Sequence, residues 1–416
     1  MDSGPAKLRI LFFTENFPPE VNAAATRVYE RAVYWAREGH SVCVVTCFPN
    51  FPQGRLHEGW RQRPWQSQEL DGLRIVRVPT YIARNEGFVR RTLDFASFMV
   101  TGTLASLFVG KPDVIVATSP QFFTAVAGWL ASSIKRAPFV FELGDLWPAS
   151  IRAVGALRDG WLYRMLEYME LFLYERAAAV VALTPAFQAD LISRGIEPRK
   201  IKVVINGVDL PRYAPRGRDT AIVESLQLEG CFTVGYIGTH GAAHGLKNVL
   251  EAASLLREDS SLRFLFVGDG ADKPALIAAA QTQSLSSVTF VEPQPKGSMP
   301  QWWSVCDVAL VHLKNDPVFQ GVIPSKIFEA MAMGLPILLV APSGEASRVI
   351  EETGAGVVVP AGEPAALANA IRRLKDDPGL RERLARASLS AAPNYSRRRQ
   401  AEDMMRVLTS VAAARR

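Results

Sequence analysis

Cysteine is scarce: the chain has four in 416 residues, Cys43, Cys47, Cys231 and Cys306. No CxxC pair and no neighbouring histidine accompanies them. They read as separate buried thiols of a reducing compartment, and a zinc or disulfide framework is excluded. An Asp-x-Asp pair, a common carboxylate grip on a divalent cation, is missing altogether. So is any run of Lys and Arg interleaved with aromatics. The net charge of +6 is a modest basic excess that permits attraction to an anionic ligand or surface but leaves no nucleic-acid footprint. No GxGxxG with a downstream acid follows a predicted first strand, which argues against a nicotinamide dehydrogenase. Residues 1–7 are short and polar and residues 8–13 read as a core strand. A secretory leader is therefore not expected, and the chain is placed in the cytoplasm.

Long apolar runs are also rare. The exception is 92–110, which contains Phe95, Phe98, Met99, Leu104, Leu107 and Phe108 and follows Arg90 and Arg91. Its length is near that of a membrane span, but Asp94 and several Ser, Thr and Gly residues interrupt it. Two readings stand. The preferred one is a crossover helix of the N-terminal domain. The other is a face lying on a membrane surface, with Arg84, Arg90 and Arg91 meeting lipid phosphates so that 84–110 forms a peripheral patch ending at Gly110.

What the chain has in quantity is alternation of apolar runs with amphipathic stretches, the pattern of an α/β protein with parallel sheets. Residues 8–14, 41–47, 114–118, 139–143 and 180–183 read as strands, and 24–38 as a helix stopped by Gly39. A second series starts at Cys231, with strands at 232–237, 263–267, 288–291, 308–311 and 337–340 and a helix at 245–256. The length suits two domains with their own cores. The expected division is 1–205, then 206–390 behind a polar, proline-rich stretch, then a final helix within 391–416.

The most telling segment is IPSKIFEAMAMGLP at 323–336. It reads as a loop, a helix opening at Ser325, a stop at Gly334 and a buried strand. A helix start offers unbonded amides and positive dipole charge, which suit a phosphate. Lys326 adds a full charge in the first turn. Glu329, one turn on, is placed to accept both hydroxyls of a ribose. Ahead of it, IGTHGAAHG at 237–245 follows a strand, and Gly238, Gly241 and Gly245 permit tight turns and leave amides uncovered.

Together these segments resemble the sugar-nucleotide site of family 4 glycosyltransferases, and the resemblance runs along nearly the whole chain. It implies the GT-B architecture: two Rossmann-like, doubly wound domains facing a central cleft. It also implies a nucleoside-diphosphate sugar in the C-terminal domain and transfer with retention at the anomeric carbon. The last helix, about 396–414, is expected to pack back on the N-terminal domain. The family often places an Arg and a Lys in the glycine loop; here Thr239 or His240 and His244 stand there, and Lys247 is the replacement charge. The family often has two glutamates bracketing the helix. Glu329 matches the second, but the first falls on Gly321, leaving Asp316, Gln320 and the amides of Gly321, Val322 and Ile323 for the sugar. Gly270 and Glu292 end two strands, and the resemblance puts a uracil-type base near Glu292.

In the N-terminal half, the FPPEVNAAAT loop at 17–26 has Asn22, Ala23 and Ala24 where glycines are common, and Arg27 enters the following helix. Arg27 reads either as a phosphate ligand or as a surface residue. ELGDLWP at 142–148 resembles a subgroup that builds bacterial surface polysaccharides, including transferases for L-fucosamine-type sugars. Asp145 would orient or deprotonate the acceptor hydroxyl, with Glu142 as a second choice; alternatively Asp145 caps the turn before Pro148. The resemblance predicts a metal-independent enzyme without cofactor, taking a UDP-sugar donor and a glycan or polyprenyl-diphosphate-linked acceptor, with domain closure excluding water. Two rivals remain: a UDP-sugar epimerase of the same fold, and a non-catalytic nucleotide-sugar-binding protein.

Overall fold

A computed structural model describes residues 7–51, 53–82, 88–119, 122–149, 152 and 160–415. Arg84 lies outside the described residues. The chain divides into two compact units, one running to Asn206 and resuming at Arg397, the other Gly207–Ser396.

In the first unit the order is β1 (Arg9–Phe13), α1 (Ala23–Arg37), β2 (Ser41–Cys47), β3 (Gln66–Leu70), β4 (Leu73–Val78), α2 (Phe88–Leu107), β5 (Val114–Thr118), α3 (Phe122–Lys135), β6 (Phe139–Leu143), α4 (Trp161–Arg176), β7 (Ala179–Ala182), α5 (Pro185–Ser193) and β8 (Ile201–Val203). The sheet runs β3-β4-β2-β1-β5-β6-β7-β8, and only β3 is antiparallel to its neighbour. The inner strands are unbroken apolar runs because helices cover both faces; β5, VIVAT, is buried at every position.

The second unit contains α6 (Thr220–Ser225), β9 (Phe232–Ile237), α7 (Lys247–Leu255), β10 (Leu262–Val267), α8 (Lys273–Thr282), β11 (Val288–Val291), α9 (Met299–Ser304), β12 (Val308–His312), α10 (Lys326–Met333), β13 (Ile337–Ala341), α11 (Glu345–Thr353), β14 (Gly356–Pro360), α12 (Pro364–Asp376) and α13 (Pro378–Ala391). Its sheet is wholly parallel in the order β11-β10-β9-β12-β13-β14. This is a doubly wound sheet whose winding reverses between β9 and β12. The first unit reverses likewise between β1 and β5, and ligands in such sheets bind beyond the carboxyl ends of the strands at the reversal.

The last helix, α14 (Arg397–Ala413), belongs to the first unit. Its Met404 and Leu408 join Phe12, Trp35 and Val116 in one buried cluster. Trp35 Nε1 donates to the Ala401 carbonyl at 2.9 Å, and buried Arg397 pairs with Glu30 at 2.9 Å. The return to this unit falls at Arg397, later than the expected 391. Ala392–Tyr395 form a 3-10 turn, and Tyr395 stacks on Phe328 at 4.7 Å, inside the second unit.

Candidate active site

Lys326 is the first residue of α10 and is almost fully buried. Its Nζ lies 3.7 Å from the centroid of the Tyr236 ring and has no hydrogen-bond partner among the described residues. A Cβ on Gly238 would stand 2.8 Å from that nitrogen and displace the lysine tip, and the φ of +141° there favours glycine. Burial lowers the Lys326 pKa to about 7, against the opposing pull of Glu329. A buried amine without a hydrogen-bond partner among the described residues, at a helix start, suits a ligand that brings negative charge.

Glu329 lies one turn along α10 and is half-buried. Its Oε2 accepts the indole N–H of fully buried Trp303 at 3.2 Å. Ser325 occupies the N-cap position, but its hydroxyl makes no capping bond, and Gly334 closes the helix with φ +71°. The turn Pro317–Gly321 precedes the helix; Asp316 is spent capping it, accepting from the Val318 amide at 3.0 Å. The Val322 amide donates to the Phe319 carbonyl at 3.2 Å. Of the groups expected to hold a sugar, the Val322 amide and the Asp316 carboxylate are therefore already engaged.

The glycine loop after β9 also differs from expectation. Of the glycines expected to leave amides uncovered, Gly238 donates its amide to the Val267 carbonyl, and the neighbouring His240 and His244 amides donate to the Asp269 and Gly241 carbonyls. His240 is wholly buried beside Tyr236, Phe266 and Phe290. Both its ring nitrogens lack a hydrogen-bond partner among the described residues. Burial, with Lys273 and Lys326 nearby, lowers its pKa to about 4. His244 faces the His312 carbonyl at 3.3 Å through Nδ1, and burial pulls its pKa to about 3. The two histidines standing where the family has Arg and Lys are thus neutral at physiological pH and supply no charge. Lys247 opens α7 with its side chain in solvent.

Gly270 permits a close approach: a Cβ there would lie 2.3 Å from the His240 carbonyl. Gly241 is partly exposed in the turn. Glu292 extends into solvent and holds buried Lys273 at 2.9 Å, while Lys273 also donates to the Gly268 and Val291 carbonyls. Sequence reasoning passed over Lys273, Tyr236 and Trp303. Only Trp303 left a trace, as the second of two adjacent tryptophans between strands.

In the first unit, Glu142 is fully buried at the end of β6. Both its oxygens accept from Arg31 at 2.7 Å, and Arg27 stands 3.4 Å away. Although burial alone would raise it, the two guanidinium groups bring its pKa down to about 2. A carboxylate held this way cannot serve as a general base, which corrects the second-choice role given to Glu142. Arg27 is not a surface residue either. Its guanidinium is buried and donates to Thr118 Oγ1 at 3.1 Å. The missed residue is Arg31, one helical turn after Arg27 on α1.

Asn22 caps α1, its side chain accepting from the Ala25 amide at 2.8 Å. Ala23 and Ala24 form the first turn, exposed and half-exposed. Asp145 stands half-buried on the turn after β6, its carbonyl accepting from the Trp147 amide at 3.0 Å. Trp147 stacks on Phe122 at 4.9 Å. Gly144 is fixed by crowding, since a Cβ there would meet the Ser119 carbonyl at 2.3 Å and Arg27 at 3.0 Å. The structure thus brings Arg27, Glu142, Gly144 and Asp145 to one end of one sheet, and Gly238, His240, His244, Lys326 and Glu329 to the corresponding end of the other.

Two doubly wound units, one with a buried, unbonded lysine at the winding reversal, are the arrangement expected of a GT-B glycosyltransferase. Comparisons agree. Residues 22–207 match the family model described as a glycosyl transferase 4-like domain, and residues 231–377 match glycosyl transferases group 1. WcaI of Escherichia coli (strain K12), named for colanic acid biosynthesis, is 26% identical over 85% of this chain and 88% of its own length. WbjE of Pseudomonas aeruginosa, named as a glycosyltransferase, is 29% identical over 56% of this chain and 58% of its own. The Anabaena protein HepE, solved in complex with UDP, superposes with a TM-score of 0.74 at 18% identity, covering 97% of this chain and 100% of that one. The chain belongs to family 4 of the glycosyltransferases.

Proposed function

We propose that this enzyme moves a sugar, an N-acetylated amino or deoxy sugar, from a UDP-sugar to a hydroxyl of a glycan or polyprenyl-diphosphate-linked acceptor, with retention, in cell-surface polysaccharide synthesis. The single observation that carries the donor half is Lys326, buried beneath the glycine loop with no hydrogen-bond partner for its Nζ among the described residues. A diphosphate would supply that partner, and the α10 dipole would add to it as negative charge develops on the departing nucleotide. No metal is needed for that step in this reading. Glu329 would accept the ribose hydroxyls. Gly321, which offers no side chain where the family often has an acid, supports a donor other than a plain hexose.

On the acceptor side Asp145 would orient or deprotonate the hydroxyl. The buried Arg27–Glu142–Arg31 group carries a net positive charge beneath the α1 start, which favours an acceptor bearing phosphate. A lipid-linked acceptor also suits α2. Among the described residues no helix is long and apolar enough to cross a membrane. Yet Leu93, Val100, Leu104 and Leu107 lie exposed on one stripe of α2, and Phe108 follows. Trp161, Met165 and Tyr168 form a similar stripe on α4. These stripes suit an interfacial patch on the inner membrane surface.

The test is a thermal-shift screen of the full chain against UDP, GDP, ADP and a panel of UDP-sugars. A ligand confined to the native state adds RT ln(1 + [L]/Kd), about 2.7 kcal/mol at a hundredfold excess. A shift with UDP and a larger one with one UDP-N-acetyl sugar supports the reading; a shift with GDP alone overturns the base, and none at all overturns the site. UDP released only when an acceptor is present separates transfer from epimerisation. The anomeric configuration of the product, read by NMR, tests retention.

A further inference from the structure

We propose that Trp303 is a positioning residue for the donor: its indole N–H holds the Glu329 carboxylate in the orientation that receives a ribose diol. Through that bond Trp303 sets the preference for a ribonucleotide over a nucleotide lacking the hydroxyls. The inference rests on the reading of Glu329 given above and extends it to a residue outside the recognised motif.

The geometry is specific. An indole N–H only donates, and a buried one needs an acceptor. Trp303, with no exposed surface, finds it in Glu329 Oε2 at 3.2 Å. A carboxylate has about four acceptor sites. One is taken by the indole, which leaves Oε1 and the second lone pair of Oε2 for two hydroxyls. A half-buried glutamate on a helix would otherwise sample several rotamers, and ordering it on binding costs affinity.

The donor side of the bond is itself fixed. The Trp303 carbonyl accepts from the Cys306 amide at 3.1 Å. Ser304 Oγ accepts from the Asp219 amide at 3.2 Å, and Arg218 donates to the Val305 carbonyl at 3.0 Å. The short helix α9 is thereby tied to the segment leading into β9. Trp303 is a rigid post, and Glu329 is the movable group that it steadies.

The experiment measures binding of UDP and of 2′,3′-dideoxy-UDP by calorimetry to the full chain, to Trp303→Phe and to Glu329→Gln. Phe keeps most of the ring packing and removes the N–H. The wild type is expected to favour UDP at least tenfold. Trp303→Phe should weaken UDP about tenfold and the dideoxy compound less than twofold, so that the preference collapses. A purely packing role would weaken both ligands alike; a preference kept in Trp303→Phe but lost in Glu329→Gln overturns the role of Trp303. A preference absent from the wild type, or kept in Glu329→Gln, overturns the reading of Glu329 itself. Should Trp303→Phe not fold, Glu329→Asp takes its place. It keeps the charge and withdraws the carboxylate from the indole, and an unchanged preference there overturns the inference.

Discussion

Replacing Lys326 by Met should make the empty protein more stable and unable to bind the donor. The Lys326 pKa falls from 10.5 to about 7 on burial, a shift of about 3.5 units or roughly 5 kcal/mol at 1.36 kcal/mol per unit. The sign follows from proton counting. Between pH 7 and 10.5 the unfolded chain binds more protons than the native one, so this group makes stability rise with pH through that window. The full penalty is carried below pH 7 and is gone above pH 10.5. Water entry and relaxation absorb part of it, so a net gain of about 2–3 kcal/mol for Lys326→Met at pH 7 is expected. For a unit of about 190 residues this is roughly 5–10 °C in the melting of the second unit.

The assay is a denaturation series from pH 6 to 9 on wild type and Lys326→Met, without and with UDP. The stability gap should be widest at pH 6–7 and shrink by about 1–3 kcal/mol toward pH 9. His240, His244 and His312, with folded pKa values of about 4, 3 and 4, stay neutral in the native protein over that range, and their unfolded-state titration near 6.5 is common to both proteins and cancels in the difference. UDP should stabilise only the wild type. Because a phosphate holds Lys326 as the ammonium, binding takes up a proton, and UDP affinity should fall toward tenfold per unit above pH 7.5, where the phosphate itself, with a last pKa of about 6, no longer titrates. A variant less stable than wild type at pH 7, or one with the same pH slope, would refute the picture of an unpaired amine stored for an anion.

Glu142→Gln should behave as a folding mutant. It leaves Arg27 and Arg31 buried without their anion, a loss of about 3–5 kcal/mol in the first unit by urea denaturation; its folded pKa of about 2 against 4.5 also means that its stabilisation, present above pH 4.5, is lost as pH falls toward 2, an acid step absent from the variant. An unchanged midpoint with a lost turnover would restore Glu142 to catalysis. Asp145→Asn should lower kcat by about 10²–10⁴ while UDP affinity measured by calorimetry stays within twofold; undiminished turnover would remove Asp145 from the acceptor step. Val100→Asp with Leu104→Asp should cut cosedimentation with phosphatidylglycerol vesicles at least fivefold without moving the melting point; equal sedimentation of both proteins would dismiss α2 as a membrane patch.

The parts of this molecule that were legible in the sequence are those where one residue type has one physical reason to be present. Parallel strands buried on both faces must be apolar throughout, so β1, β2, β5, β9 and β12 stood out. Gly334 stops α10 because its φ of +71° suits few other residues. The β3–β4 hairpin left a signal, Asp71-Gly72 between two leucines, both in the positive-φ region; it was passed over because the strands flanking it are polar on the exposed side. Ion pairing was not legible at all. Arg31 and Glu142 are 111 residues apart, and nothing local tells a surface glutamate from one locked between two guanidinium groups. The protonation of His240 and His244 was equally illegible, since a sequence shows that a histidine is present and not that burial has made it neutral. Lys326 was found for its position at a helix start, yet its distinguishing property, an Nζ against the face of Tyr236 with no hydrogen-bond partner among the described residues, arises from segments that meet only after folding. The sequence therefore marks a candidate anion site through a helix start and glycines, and describes its protonation poorly, because protonation depends on desolvation by residues far along the chain.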